Sequence, residues 1–246
     1  MKNISLGKVE RGRIWLPVSY AGNEIKFAYP SVRGPHQECY KAISKDKELV
    51  PAEGLDLTLL TFGAYNGKEP EWEDIRQNAF VYNYTRVPSR NLWLPAGTIL
   101  VDKKIESDLA GVLIERDVKG LGLSTIMEVP DLKSWKQVDG IYVSPDRNQQ
   151  FIPTSAYSDK FENDGYAKAT LTQEGAELFA KTAKDAGKQP RTRKVDVNSI
   201  TKPEQRVSLL GEDDDRLYLY GNSWGNAWDS HAFGVSKSGE ASTPKN

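Results

Sequence analysis

The chain has 246 residues, 38% of them hydrophobic and 27% charged, a balance too apolar for a disordered chain and too polar for a membrane protein. Lysine plus arginine (33) matches aspartate plus glutamate (34), so no global field draws the molecule to nucleic acid or anionic lipid, and any such binding must be local. Cys39 is the single cysteine, which excludes an intramolecular disulfide; with no unbroken apolar stretch near Met1 and none of membrane-spanning length, the expected location is a reducing cytoplasm, without a membrane partner.

Between Ile14 and Tyr29, the apolar runs "IWLPV" and "IKFAY" flank "SYAGNE", whose Gly and Asn suit a turn, so strand, turn and strand are expected. Gly34 and Pro35 then open a short helix from about Pro35 to Ser44, because proline is favoured in a first helical turn where its missing N–H has no partner. Leu55, Leu59 and Phe62 at helical spacing predict a largely buried second helix, closed by a left-handed stop at Asn66 and Gly67. Pro70 and the acids around it predict a third helix, amphipathic and more exposed.

From Phe80 the pattern changes. "FVYNYTRV" and "NLWLPAGTILVDKK" are rich in β-branched and aromatic residues and predict strands, the clearest at Thr98 to Val101. "GVLIE", "STIMEV" and "GIYVS" can each supply another, and residues 145–168 read as loop with one short apolar run at Phe151. The strongest helix signal is "TLTQEGAELFAKTAKDAGK", with Thr172 as cap, Ala176, Phe179, Ala183 and Ala186 on one face, and Gly187 as stop. A basic connector over 188–206 leads to "RVSLL", the turn-like "GEDDD", "RLYLYGN" and "HAFGVSK". The pattern defines an α+β fold: a mixed or antiparallel sheet, about four helices and a β-rich C-terminal end. Residues 1–238 are expected to form a single globular domain, with subdivision near 145–168 as the alternative, and 239–246 a disordered tail.

One stretch suggests chemistry. In "GNSWGNAWDSHAFG", Gly221 to Gly234, the run Asn222, Ser223, Trp224, Gly225 resembles the Asn-Ser-Trp-Gly segment of papain-like cysteine proteases, over only about a dozen residues. The resemblance implies a Cys nucleophile at a helix N-terminus, a His base and an Asn that orients it, here Cys39, His231 and Asn222. The pattern departs from the family in three places. The family's His precedes its Asn, whereas the His before Asn222 is His36, three residues from Cys39 on the same helix; Arg33 stands where the family has an oxyanion-binding Gln; and Cys39 lies a full turn inside the helix, where the dipole does little for a thiol. A triad would need "RLYLYGN" and "HAFGV" to pair as a hairpin with Asn222 and His231 at its mouth. The competing reading is the same hairpin without chemistry, its Gly- and Asn-rich loop covered by Trp224 and Trp228.

The remaining candidates are sparser. His36, Cys39 and His231 offer three zinc ligands where a structural site takes four, so no cofactor is expected and Cys39 reads as a small buried hydrophobe. Glu212, Asp213, Asp214 and Asp215 lack the spacing of a calcium loop and read as a solvated turn. Lys188, Arg191, Arg193 and Lys194 could hold phosphates of a nucleic acid, but no aromatic residue is interleaved with them for base stacking, which favours a solvated linker. There is no Walker loop, G-x-G-x-x-G or G-x-S-x-G. The leading expectation is a non-enzymatic interaction or structural protein that works through protein contacts or self-assembly; a thiol hydrolase and a nucleic-acid binder are the alternatives.

Overall fold

The computed structural model describes residues 4–6, 14–101, 132–138, 140–145, 149–200, 204–223 and 230–237. Alternation builds the first hairpin. Ile4–Leu6 (β1) pairs with Ile14–Tyr20 (β2), which buries Leu16 and Val18, and Asn23–Tyr29 (β3) buries Ile25 and Phe27 beside them. The turn residues Ala21 and Gly22 have φ of 53° and 85°, both left-handed, as a two-residue turn requires to match the strand twist. Val32–Arg33 (β4) leads to His36–Lys45 (α1), Leu49–Pro51 (β5) and Gly54–Asn66 (α2). Pro70–Ile75 (α3) passes into a π-helical turn over Arg76–Val81, and Tyr84–Leu94 (β6), Gly97–Val101 (β7), Lys136–Val138 (β8), Ile141–Val143 (β9) and Gln149–Pro153 (β10) follow. Gly165–Leu171 (α4) and Gln173–Asp185 (α5) precede Gln189–Arg193 (β11), Glu204–Asp213 (β12), Arg216–Ser223 (β13), Ser230–Ala232 (β14) and Gly234–Ser236 (β15).

The fold is α+β, with a strand-rich C-terminal region and, among the described residues, five α-helices. One sheet has the order β1-β2-β3-β15-β5, and a larger one runs β11-β13-β12-β6-β7-β10-β9-β8, with β14 beside the start of β6 and carrying β4. The larger sheet is mixed, since β11 is parallel to β13 and β14 parallel to β6. Leu210, Leu217 and Leu219, all fully buried, join the core with Leu59 of α2 and Phe179 of α5.

Several expectations meet a different outcome. Phe80 does not open a strand: Tyr82 N–H reaches back to Gln77 O at 2.8 Å, closing a wider π-helical turn in which Ala79 and Phe80 are both buried. Gly67 ends α2 without a left-handed angle, at φ −71°. It is glycine for space, because a Cβ there would stand 2.2 Å from Cδ1 of the buried Trp72. Ala186 is exposed and lies outside the buried face of α5, whereas Thr172 caps that helix through Gly175 N–H at 3.1 Å and Gly187 has φ +73°. The stretch read as loop, 145–168, runs at its end into the first turn of α4, which is capped by the Asp164 carboxylate on Ala167 N–H and continues to Leu171. "GVLIE", "STIMEV" and residues 239–246 lie outside the described residues.

β6 crosses Pro88 without ending, although proline cannot donate to a ladder. The register explains this: Val207 faces Arg90 and Leu209 faces Arg86, so Val87, Pro88 and Ser89 together oppose Ser208. The bulge turns Ser208 toward a fully buried polar cluster, where it meets Tyr166 Oη at 2.7 Å and Asn91 Nδ2 at 2.9 Å.

Candidate functional site

The residues singled out by the protease-like segment fall in separate surroundings. The hairpin that would bring Asn222 to His231 does not form, because both edges of β13 are already taken, by β12 through the Asp214–Asp215 turn and by β11. β14 instead pairs His231 with Arg33 of β4 and with Thr85 of β6. Asn222 belongs to the far end of β13, whose Ser223 faces Val207 and, through it, Arg90. Five residues of β6 and three strand spacings (β14 to β6, β6 to β12, β12 to β13) thus separate Asn222 from His231, on the order of 20 Å. Residues 224–229, with Trp224 and Trp228, lie outside the described residues.

Cys39 and both histidines serve a buried junction between α1, β4, β6 and β14. Cys39 is fully buried, its thiol directed at the Gly34 and Val32 carbonyls at 3.4 and 3.6 Å. Burial pushes its pKa up to about 11, against a partial pull downward from the Arg86 guanidinium, so the protonated thiol is the form at neutral pH. Arg86 is itself fully buried and donates through Nε and Nη2 to Gly34 O, at 3.1 and 2.9 Å. Tyr40 donates to Arg86 O at 3.0 Å and His36 Nε2 lies 3.0 Å from Val87 O. His231 Nδ1 lies 2.7 Å from Ser31 Oγ. Hydrogen bonds to backbone carbonyls dominate, which ties α1 to the sheet. Among the described residues no three His, Cys, Asp or Glu side chains converge as metal ligands.

The four cations of the basic segment are not equivalent. Residues 189–193 of the segment form β11, an edge strand flanked by Lys188 and Lys194, and the parallel pairing of β11 with β13 gives it a fixed face. Lys188 pairs with Glu212 at 2.5 Å, and Glu212 also accepts from the Tyr65 hydroxyl. Lys194 pairs with the fully buried Asp164 at 2.5 Å and lies 4.7 Å from the Tyr157 ring centroid. Arg191 and Arg193 are exposed, and Arg193 stacks at 5.4 Å over the ring of Tyr220.

Pairing also supplies the aromatic residues that the segment lacks in its own sequence. Arg191 pairs with Tyr218 and Arg193 with Tyr220, and residues paired across strands share a face. Tyr218 in turn faces Gly211, and the ring of Tyr84 closes over that glycine, where a Cβ would meet Tyr84 Cδ1 at 2.7 Å. The Tyr84 and Tyr218 ring centroids are 6.5 Å apart and those of Tyr218 and Tyr220 are 6.3 Å apart. A row of tyrosines and arginines therefore spans β6, β12, β13 and β11, on the side of the sheet opposite the buried Leu217 and Leu219: Arg191 and Arg193 are exposed, Tyr84 and Tyr220 half-buried, and Tyr218 is buried between them. "RLYLY" carried the signal, since its period of two separates the tyrosines from the leucines; the parallel neighbour strand had no counterpart in local sequence.

The acidic tip borders this surface. Asp213, Asp214, Asp215 and Arg216 are exposed, and Arg216 pairs with Asp215 at 3.4 Å. Elsewhere, an open cleft of about 420 Å³ is lined by neutral side chains, among them Gln137, Tyr142, Ser155, Tyr157, Ser158 and Asn163. Its Tyr157 hydroxyl is 2.7 Å from Thr98 Oγ1. No protein-family model, curated protein or solved structure matches the chain.

Proposed function

We propose that this is a non-enzymatic interaction protein that works through protein contacts on the tyrosine–arginine face of its large sheet, in a reducing compartment such as the cytoplasm. The alignment of Arg191 and Arg193 with Tyr218 and Tyr220 carries the reading. Tyrosine and arginine combine large, low-entropy contact area with directional hydrogen bonding, and they are enriched where protein interfaces concentrate their binding energy. Burial of Cys39 and its raised pKa argue against a thiol nucleophile.

A single-stranded nucleic acid could also use tyrosines beside arginines. Charge decides against it. Four cations here (Lys188, Arg191, Arg193, Arg216) stand with four acids (Glu212, Asp213, Asp214, Asp215), so the local sum is zero and a polyanion gains nothing from the surroundings.

A photo-crosslinking amino acid placed at Tyr220, in the cells that make the protein, tests the proposal against the same substitution at Val138, on the opposite edge of the sheet. The expected result is a discrete crosslinked protein from position 220 and none from 138. Equal yields at both positions, or none at 220, would overturn it.

A further inference from the structure

We infer that the tyrosine–arginine face docks a second copy of this chain; the inference rests on the functional reading above and commits it to one partner. The face is charge-complementary to itself. With Lys188 held by Glu212, and Arg216 by Asp215, two cations on one side, Arg191 and Arg193, remain against two acids on the other, Asp213 and Asp214. Arg191 and the two aspartates make no side-chain ion pair among the described residues, and Arg193 has its contact with Tyr220.

Their placement suits a two-fold axis. β13 lies between β11, which carries the arginines, and β12, which carries Asp213, and each neighbour is about 4.8 Å away. An axis lying in the interface along β13 lays β11 of one copy over β12 of the other, which puts Arg191 at the level of Gly211, two residues or about 7 Å along the strand from Asp213 and within reach of an arginine side chain, with Arg193 two residues further on, and repeats the contact in reverse. The same axis brings Tyr220 of the two copies together near its centre, the position where interface energy concentrates, above the buried Tyr218.

Pairing through the free edge of β11 is the competing geometry, and the strand opposes it. Gln189 N–H donates to Asp215 O, toward β13, so alternation turns Pro190 to the outer edge, where it has no N–H to give. The contact is therefore face to face. The side chains it offers, Arg191, Arg193, Asp213, Asp214 and Tyr220, cover less than the roughly 800 Å² per partner of a stable complex, so the association is weak and rapidly reversible.

Sedimentation velocity of the full chain, from about 5 to 500 µM at low and at high salt, tests this directly. The wild type should dimerise with concentration and lose at least tenfold in affinity at high salt. Two variants, Arg191→Asp with Arg193→Asp and Asp213→Arg with Asp214→Asn, should each remain monomeric alone and form a one-to-one dimer when mixed. Adding Tyr220→Ser to both should abolish that dimer, which a general attraction between oppositely charged proteins would survive. A wild type that stays monomeric at low salt, or a dimer that persists unchanged in both charge variants, overturns the inference. Crosslinking from position 220 separates the two failures: capture of a different protein leaves the functional reading standing without self-association, and no capture removes both.

Discussion

Replacing Lys194 by methionine asks whether a cation of the basic strand serves the fold or the solvent. Lys194 Nζ lies 2.5 Å from Asp164 Oδ2, with side-chain exposures of 18% and 0%. The Asp164 carboxylate also accepts Ala167 N–H at 3.1 Å and Ser158 N–H at 2.9 Å. Losing a charge-assisted bond costs about 1.5–3 kcal/mol. Stranding the partner of a fully buried pair costs about 3–5 kcal/mol, and the two remaining N–H donors, with partial access of water on the lysine side, bring the expectation below that range, to about 2–3 kcal/mol. Methionine keeps the length of the side chain, and the contact of the Lys194 Nζ with the Tyr157 ring, 4.7 Å from its centroid, is lost with the charge. Arg191→Met on the same strand removes an exposed cation and should change stability by less than about 0.5 kcal/mol. Urea unfolding of the two variants beside the wild type measures the difference. Equal effects, within about 0.5 kcal/mol of each other, would refute the assignment of Lys194 to the fold and return it to the pool of solvent-facing cations.

Gly63→Ala isolates the space beneath Trp72: alanine favours a helix by about 1 kcal/mol, but its Cβ would stand 2.5 Å from the buried indole, so net destabilisation of about 1–3 kcal/mol is expected on thermal or urea unfolding. A more stable Gly63→Ala would show that the indole has room to move.

Local periodicity made much of this architecture legible. The first hairpin, α1, α2 and α5 follow from residues close together in sequence, and Thr172 and Gly187 mark the ends of α5 where sequence chemistry places them. What local sequence does not contain is which distant segment fills an edge. The pairing of β14 with β4 and β6 separates Asn222 from His231, and the parallel pairing of β11 with β13 sets two arginines beside two tyrosines. Both depend on partners far along the chain. Gly67 shows a subtler case: the residue type marks the helix end, but Trp72, not a left-handed angle, is its reason.

In the proposed reading, the buried Cys39–Arg86 junction serves the fold, and contacts are left to the sheet face that carries the exposed Arg191 and Arg193 and the half-buried Tyr220. Iodoacetamide alkylation of Cys39 in the native protein, followed against pH beside the denatured chain, tests that division most directly. Folding raises the thiol pKa from the free value of about 8.5 to about 11, so the stability it contributes is complete below the free value and is lost as pH climbs toward 11. The account predicts a native thiol that stays protected through pH 7–9 and reacts only as fast as the chain opens, with protection failing on the alkaline side. Rapid alkylation at neutral pH, with a midpoint below about 8.5, would contradict it and make Cys39 a nucleophile.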